Sequence, residues 1–235
     1  MVPIAHHNHF YATEVRQEQP KEFFRFLAQE ASPQLGSGEP TVLDIGCAGG
    51  DFLNYLRTLF PNIRPTAMDV SPELISKAST LLSDCDFVVG DIYRGTGLPE
   101  RQYDVVFMSG VNYLFDDYEA WLRNIISLTR GSAYIFGVFN PEDLDVRATV
   151  QRAGDQTSSM PFNLISQKSI NVFLDSLGVR HHFKNWNLPI ANPRSHDDPI
   201  RSWTIETSTG SFLVVNGMQI VHTFAVLAID TIKSE

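Results

Sequence analysis

Three aspartates, Asp44, Asp69 and Asp91, close the short apolar runs of VLDIGCAGGDF, TAMDVS and FVVGDI, 25 and then 22 residues apart. Each run is long enough for a strand and each acid precedes a turn, so each carboxylate is expected at the carboxyl end of a strand. In open α/β sheets that edge is where ligands bind. Behind Asp44, the residues Gly46, Ala48, Gly49 and Gly50 make a tight turn into a helix. Such a turn lets backbone come close to a ligand, and the helix N-terminus presents unpaired N–H groups. A carboxylate at Asp69 can accept both hydroxyls of a ribose. Asp91 can accept from an exocyclic amine of adenine, with the Ile92 backbone N–H offered to a ring nitrogen. For any one acid, an N-cap or loop-solvating role is the plainer reading. Three acids in this spacing with the glycine turn argue for a site.

The elements that must position these residues alternate. PKEFFRFLAQE (20–30) has helical spacing and is broken by SPQLGSGEP. Thr41–Ile45 reads as a strand, Asp51–Phe60 as a helix closed by Pro61, and Thr66–Met68 as a second strand. Ser71-Pro72-Glu73 is a helix start: a capping hydroxyl, proline at the first position, and an acid near the positive end of the dipole. Further strands are expected at Phe87–Val89, Val105–Met108 and Ala133–Val138, and helices at Tyr118–Leu128 and Lys168–Leu177, with Gly178 as a left-handed cap. From Val179 onward only strands are expected: one ending near Trp186, a hairpin around Ser208-Thr209-Gly210, and a last strand His222–Ile229. The fold class is therefore α/β. It is a doubly wound, mostly parallel, Rossmann-like sheet with an antiparallel last strand and a small β-hairpin insertion near the C-terminus.

With 235 residues, the chain is expected to be one domain over 20–235, preceded by a lid segment 1–19. Its cofactor half would span about 40–140 and its acceptor-side elements about 140–221. A net charge of −9, from 18 basic and 27 acidic residues, argues against a nucleic-acid partner, whose phosphates need basic surface. Two cysteines, Cys47 and Cys85, cannot build a disulfide framework or a paired CxxC metal site, and no metal is expected. The N-terminus lacks a basic region followed by an apolar core. Phe212–Ile229 carries no formal charge over 18 residues, but its Asn216-Gly217 reads as a turn between strands rather than a membrane span. A soluble, cytoplasmic protein is expected.

Taken together, VLDIGCAGGDF, MDVS, GDI and YDVVFMSGV resemble the class I S-adenosylmethionine-dependent methyltransferases, in four motifs in the right order over residues 40–140. The resemblance implies S-adenosylmethionine as cofactor and S-adenosylhomocysteine as product. It implies that Asp44, Gly46 and Cys47 hold the methionine part, that Asp69 and Val70 bind ribose, and that Asp91 and Ile92 bind adenine. Ser109 would lie beside the sulfonium. Ala48 stands where the family usually has glycine, a mild change provided its φ stays negative. A nicotinamide-dependent dehydrogenase is disfavoured: Gly46-Cys47-Ala48-Gly49-Gly50-Asp51 does not match GxGxxG, and a pyrophosphate beside Asp44 and Asp51 would be poorly placed.

Acceptor residues are less legible. Related small-molecule enzymes carry an acid and a His shortly after the Gly-Val of strand four; here Tyr113 and Leu114 stand there, leaving Asn112 and Tyr113 to orient an acceptor. His196, in the irregular ANPRSHDDPIRSW, is taken with Tyr113 as a catalytic candidate, and Arg194, Arg201 and Trp203 with Asn112 as acceptor-binding candidates. His6, His7 and His9 precede the Phe10-Tyr11 of the lid, and His181-His182 reads as structural. Arg147 and Arg152 either face an anionic group on the acceptor or sit exposed on a helix. WTIETSTGSFLVV either covers the acceptor or pairs two subunits into a homodimer. No DNA-methylating Asn/Asp-Pro-Pro-aromatic run follows strand four. The expected function is transfer of a methyl group to a small molecule, at an oxygen of a sugar-like or secondary-metabolite acceptor. The alternatives are a cofactor-binding regulatory or partner protein without transfer, and a protein or N-methyltransferase.

Overall fold

The computed structural model describes residues 11, 19–151, 153–154, 159–194 and 201–231. Its main sheet runs β3 (Asp86–Val89), β2 (Arg64–Asp69), β1 (Thr41–Ile45), β4 (Tyr103–Ser109), β5 (Thr129–Phe139), then β11 (Val221–Asp230). The first five pair in parallel, and β11 runs antiparallel to β5 from Thr223↔Phe139 to Asp230↔Ser132. On the far side of β11 lies β8 (Arg180–Trp186), also antiparallel to it. The order reverses between β1 and β4, which opens the crevice over the ends of those two strands.

Both faces of the sheet are covered, as the fully buried β1 requires. One face packs Leu27 of α1 (Glu22–Glu30), Leu35 of α2 (Ser32–Leu35), Leu53 and Leu56 of α3 (Asp51–Leu59), and Ala78 of α4 (Pro72–Leu81). The other packs Trp121, Leu122 and Ile125 of α5 (Tyr118–Leu128) with Ile170 and Leu174 of α6 (Gln167–Ser176). Helix starts follow local chemistry. Ser71 accepts the Leu74 N–H at 3.3 Å with Pro72 in the first turn, and Ser166 accepts the Lys168 N–H at 3.1 Å. Gly178 ends α6 in the left-handed region at φ 66°.

Among the described residues after α6, the only regular elements are strands. β9 (Trp203–Glu206) and β10 (Phe212–Val215) form the hairpin around residues 207–211 and pair on to the start of β11 at Val214↔His222. Residues 146–164 correct the sequence reading. Arg147 lies on a strand, β6 (Val146–Gln151), paired antiparallel with β7 (Ser159–Leu164) in a separate two-stranded sheet. Its side chain is exposed and sits 3.8 Å from Asp145. The β-branched spacing of Val146, Thr149 and Val150 favours the strand, and Phe162 and Leu164 give β7 a buried face. Arg152 lies outside the described residues. No helix among the described residues is long and apolar enough to cross a membrane.

Candidate active site

Two cavities open at the carboxyl ends of β1–β5. The first, about 160 Å³, is lined by Asp44, Gly46, Cys47 and Ala48 after β1, Asp69 and Val70 after β2, Asp91 and Ile92 after β3, and Ser109 at the end of β4. The order of the strands therefore brings together every cofactor-side residue expected from the sequence. Phe24, Phe52, Leu74 and the stacked pair Tyr93 and Phe115, with ring centroids 5.1 Å apart, supply its apolar surfaces. Sequence reasoning missed these, because they arrive from helix faces and loops whose apolar residues look like ordinary core.

Asp44 is 3% exposed and has no hydrogen-bond partner among the described residues. Burial first, and then the Asp69 carboxylate, push its pKa up to about 8. A buried acid in this condition gains most from a cationic partner. Asp69 is 7% exposed; its Oδ1 accepts the Ser71 N–H at 2.9 Å and its Oδ2 accepts the Ala48 N–H at 3.0 Å. Burial raises its pKa, opposed by the backbone N–H groups that it accepts. Asp91 Oδ1 accepts the Tyr93 and Arg94 N–H groups at 2.9 and 3.1 Å, while Oδ2 is 3.6 Å from Arg94 Nη1. It therefore caps its own turn while lining the cavity. Cys47 is no nucleophile: burial and then the carboxylates Asp44 and Asp69 push its thiol far up. Ser109 Oγ is buried with no hydrogen-bond partner in the described structure.

The glycine turn departs from expectation at one point. Gly46, Ala48 and Gly50 all have positive φ, at 73°, 48° and 84°. Ala48 thus occupies the left-handed region, contrary to the negative φ on which its mildness was conditioned, and the bond to Asp69 holds it there.

The second cavity, about 560 Å³, adjoins the first and shares Ser109, Gly110, Tyr113, Tyr11, Lys21 and Phe23 with it. Its far wall is aromatic: Phe136 lies 5.3 Å from Trp186 and 5.4 Å from Phe224 between ring centroids. Arg194 and Arg201 line it, and the Arg194 guanidinium lies 4.7 Å over the Trp203 ring. Tyr113 packs on Phe162 at 5.0 Å. Two candidates fall outside the wall. Asn112 is buried, donates to the Val138 carbonyl at 2.7 Å and sits against Gly137, where a Cβ would lie 1.9 Å from its Oδ1. It braces the turn after β4 rather than facing an acceptor. Trp203 supports Arg194 from β9 and lines neither cavity. His196, His6, His7 and His9 lie outside the described residues. His181 is structural: its ring nitrogens are 2.9 and 3.0 Å from the Val179 carbonyl and the Asn171 side chain.

One residue of this region was read from the sequence only as the start of the last strand. His222 is buried on β11, with Nε2 2.9 Å from Ser202 Oγ, and burial lowers its pKa. Its only signal was a lone His after the Asn-Gly turn.

A parallel sheet continued by an antiparallel strand, here β11, with a glycine turn after β1 and acids at the ends of β1, β2 and β3, is the architecture of the class I S-adenosylmethionine-dependent methyltransferases. Residues 42–131 match the family described as methyltransferase domain. Trans-aconitate 2-methyltransferase of Escherichia coli O139:H28 is 32% identical over 117 residues, covering 46% of this chain and 45% of the relative. The match thus spans less than half the length of these curated relatives. Among solved structures, the YcgJ protein from Bacillus subtilis superposes with TM-score 0.58 at 13% identity, covering 89% of this chain and 98% of that one. Plantazolicin methyltransferase BpumL, solved with S-adenosylhomocysteine and a desmethylplantazolicin analogue, gives TM-score 0.54 at 19% identity, covering 89% and 86%. These two likenesses concern the fold.

Proposed function

We propose that the protein binds S-adenosylmethionine in the smaller cavity and moves its methyl group to an oxygen of a small sugar-like or secondary-metabolite acceptor in the larger one. The observation that carries this reading is the meeting of the two cavities at Ser109, Gly110 and Tyr113, on the end of β4. The residues present fit the cofactor. Asp44, a buried acid with no hydrogen-bond partner among the described residues, suits the methionine ammonium; Asp69 suits the ribose hydroxyls; Asp91 and Ile92 suit adenine. The unpartnered Ser109 hydroxyl suits the sulfonium side. When bound, the cofactor supplies a methyl group already activated on a sulfonium. The chain's own work is then to hold the acceptor in line and to exclude water.

On this reading Tyr113, Arg194 and Arg201 orient the acceptor, and the aromatic wall of Phe136, Trp186 and Phe224 covers its apolar face. Tyr11 lines both cavities and its carbonyl accepts from Lys77 Nζ at 2.5 Å; the rest of the expected lid, up to residue 18, lies outside the described residues. Arg201, two residues before β9, lies on the cavity wall. The setting is cytoplasmic, with a small-molecule partner and no nucleic acid. A second reading, a carboxylate acceptor, is favoured by Lys21, Arg194 and Arg201 on one cavity, and by the name of the Escherichia coli relative.

The test is incubation with methyl-labelled S-adenosylmethionine and separate pools of sugars, phenols and carboxylic acids. Label is expected in a small-molecule product of the sugar or phenol pools. Label confined to the acid pool would favour the second reading, and label confined to protein would contradict both. Cofactor binding without any product would point to a regulatory or partner protein.

A further inference from the structure

On the wall of the larger cavity Ser202 is hydrogen-bonded to a histidine buried behind it. His222 Nδ1 lies 3.2 Å from the Ile220 carbonyl oxygen, which can only accept, so Nδ1 carries the proton. Its Nε2 lone pair then faces Ser202 Oγ at 2.9 Å, and the serine hydroxyl donates to it. The imidazole is 6% exposed, with Phe162 and Phe224 edge-on at 6.2 and 5.5 Å between ring centroids. Ser202 lines the cavity and His222 stands behind it. Asn192 fixes the serine's backbone by donating from Nδ2 to the Ser202 carbonyl at 2.7 Å, and it pairs with Thr204 beyond.

Burial holds the imidazole neutral by lowering its pKa below the usual range, opposed only by the Ile220 carbonyl. The elements packed on it present Phe162 from β7 and Val214 from β10, neither of which titrates. The charged groups on this cavity are Lys21, Glu22, Arg194 and Arg201.

We propose that Ser202, positioned by His222, takes the proton from a hydroxyl acceptor as that acceptor is methylated. This rests on the methyltransferase reading above. The acceptor oxygen forms a bond to the methyl carbon, and the carbon–sulfur bond breaks with its electron pair left on sulfur. The acceptor proton passes to Ser202 Oγ as the serine's own proton passes to His222 Nε2. One positive charge leaves the sulfonium and one appears on the imidazole, so the step balances. The pair thereby supplies the base that the Tyr113-Leu114 stretch after β4 lacks.

The experiment compares wild type, Ser202→Ala, Ser202→Thr and His222→Gln with methyl-labelled S-adenosylmethionine, using phenols and methyl glycosides as acceptors and trans-aconitate as the carboxylate control. Ser202→Ala and His222→Gln should each lower kcat on the hydroxyl acceptor by about 100-fold or more, with KM little changed. Ser202→Thr should recover part of the loss, and the double variant should be no worse than the poorer single one. Wild-type kcat should rise with pH through an acid-range inflection that His222→Gln lacks. A readout that needs no turnover is the ¹⁵N spectrum of His222, which should show a neutral ring protonated at Nδ1 near pH 7. Protonation at Nε2, unchanged kcat in both variants, or methylation of trans-aconitate alone would each overturn the relay. Cofactor bound with no hydroxyl methylated would also overturn the relay while leaving the cofactor site standing. Failure to bind the cofactor at all would overturn the methyltransferase reading, and the relay with it.

Discussion

The Ala48 backbone N–H donates to Asp69 Oδ2 at 3.0 Å, and this single bond ties the turn after β1 to the end of β2. It joins the strand-end acid suited to a ribose to the turn suited to the methionine part. It also holds an alanine at φ 48°, where a Cβ is strained. Because left-handed backbone costs an L-residue about 1–2 kcal/mol and glycine nearly nothing, Ala48→Gly should stabilise the protein. Part of that gain is lost to the greater chain entropy of glycine in the unfolded state. The expected outcome is a higher denaturation midpoint, equivalent to a gain in unfolding free energy of up to about 1 kcal/mol, with S-adenosylhomocysteine affinity retained. A lower midpoint would mean that Ala48 is not strained in solution.

Asp69 contributes to the proposed site in two ways, through the turn and through direct contact with ribose. Asp69→Ala removes a charged acceptor and should weaken S-adenosylhomocysteine binding by about 1.5–3 kcal/mol. Asp69→Asn should be milder, since its side-chain oxygen can still accept one of the two backbone N–H groups. Titration calorimetry on the two variants separates these outcomes. Unchanged affinity in Asp69→Ala would remove Asp69 from the site.

Asp44 sets a pH dependence with a definite sign. Its pKa is raised to about 8 in the folded protein from 3.8 in an unfolded chain, so the native state binds the extra proton. Stability therefore falls as pH rises from about 4 to about 8, and the full penalty is present above that range. Asp44→Asn should stabilise the ligand-free protein at pH 7 by about 1 kcal/mol or more, seen as a Tm higher by ~2–4 °C. The same variant should bind S-adenosylhomocysteine more weakly. In the wild type, pairing of Asp44 with a ligand ammonium should release a proton at pH 7, measured as a buffer-dependent binding enthalpy. Proton uptake instead would contradict the assigned environment.

The β1–β4 end of the sheet was legible because short-range chemistry determines it. Each of Asp44, Asp69 and Asp91 ends an apolar run, Ser71-Pro72 starts a helix on contact with its own backbone, and β1, β2 and β3 are separated by helices in order. The acceptor side is built otherwise. Lys21, Phe136, Phe162, Trp186, Ser202 and Phe224 come from six separated places in the chain. Nothing in their spacing announces that β5, β8 and β11 bring them together. The β6–β7 hairpin was missed because the Asp and Glu of NPEDLD mask a run of only six strand residues. Asn112 looked like an acceptor contact because a polar residue after β4 usually faces the crevice, yet the bare backbone of Gly137 gives its amide a place to bury.

The cofactor site is tested most directly by calorimetric titration of the protein with S-adenosylmethionine and S-adenosylhomocysteine, with NADH as control. Micromolar binding of both adenosyl ligands, abolished or strongly weakened in Asp69→Ala, with no heat from NADH, is the predicted result. Binding of NADH, or of neither adenosyl ligand, would contradict the assignment of the cavity beneath Ser109 to S-adenosylmethionine.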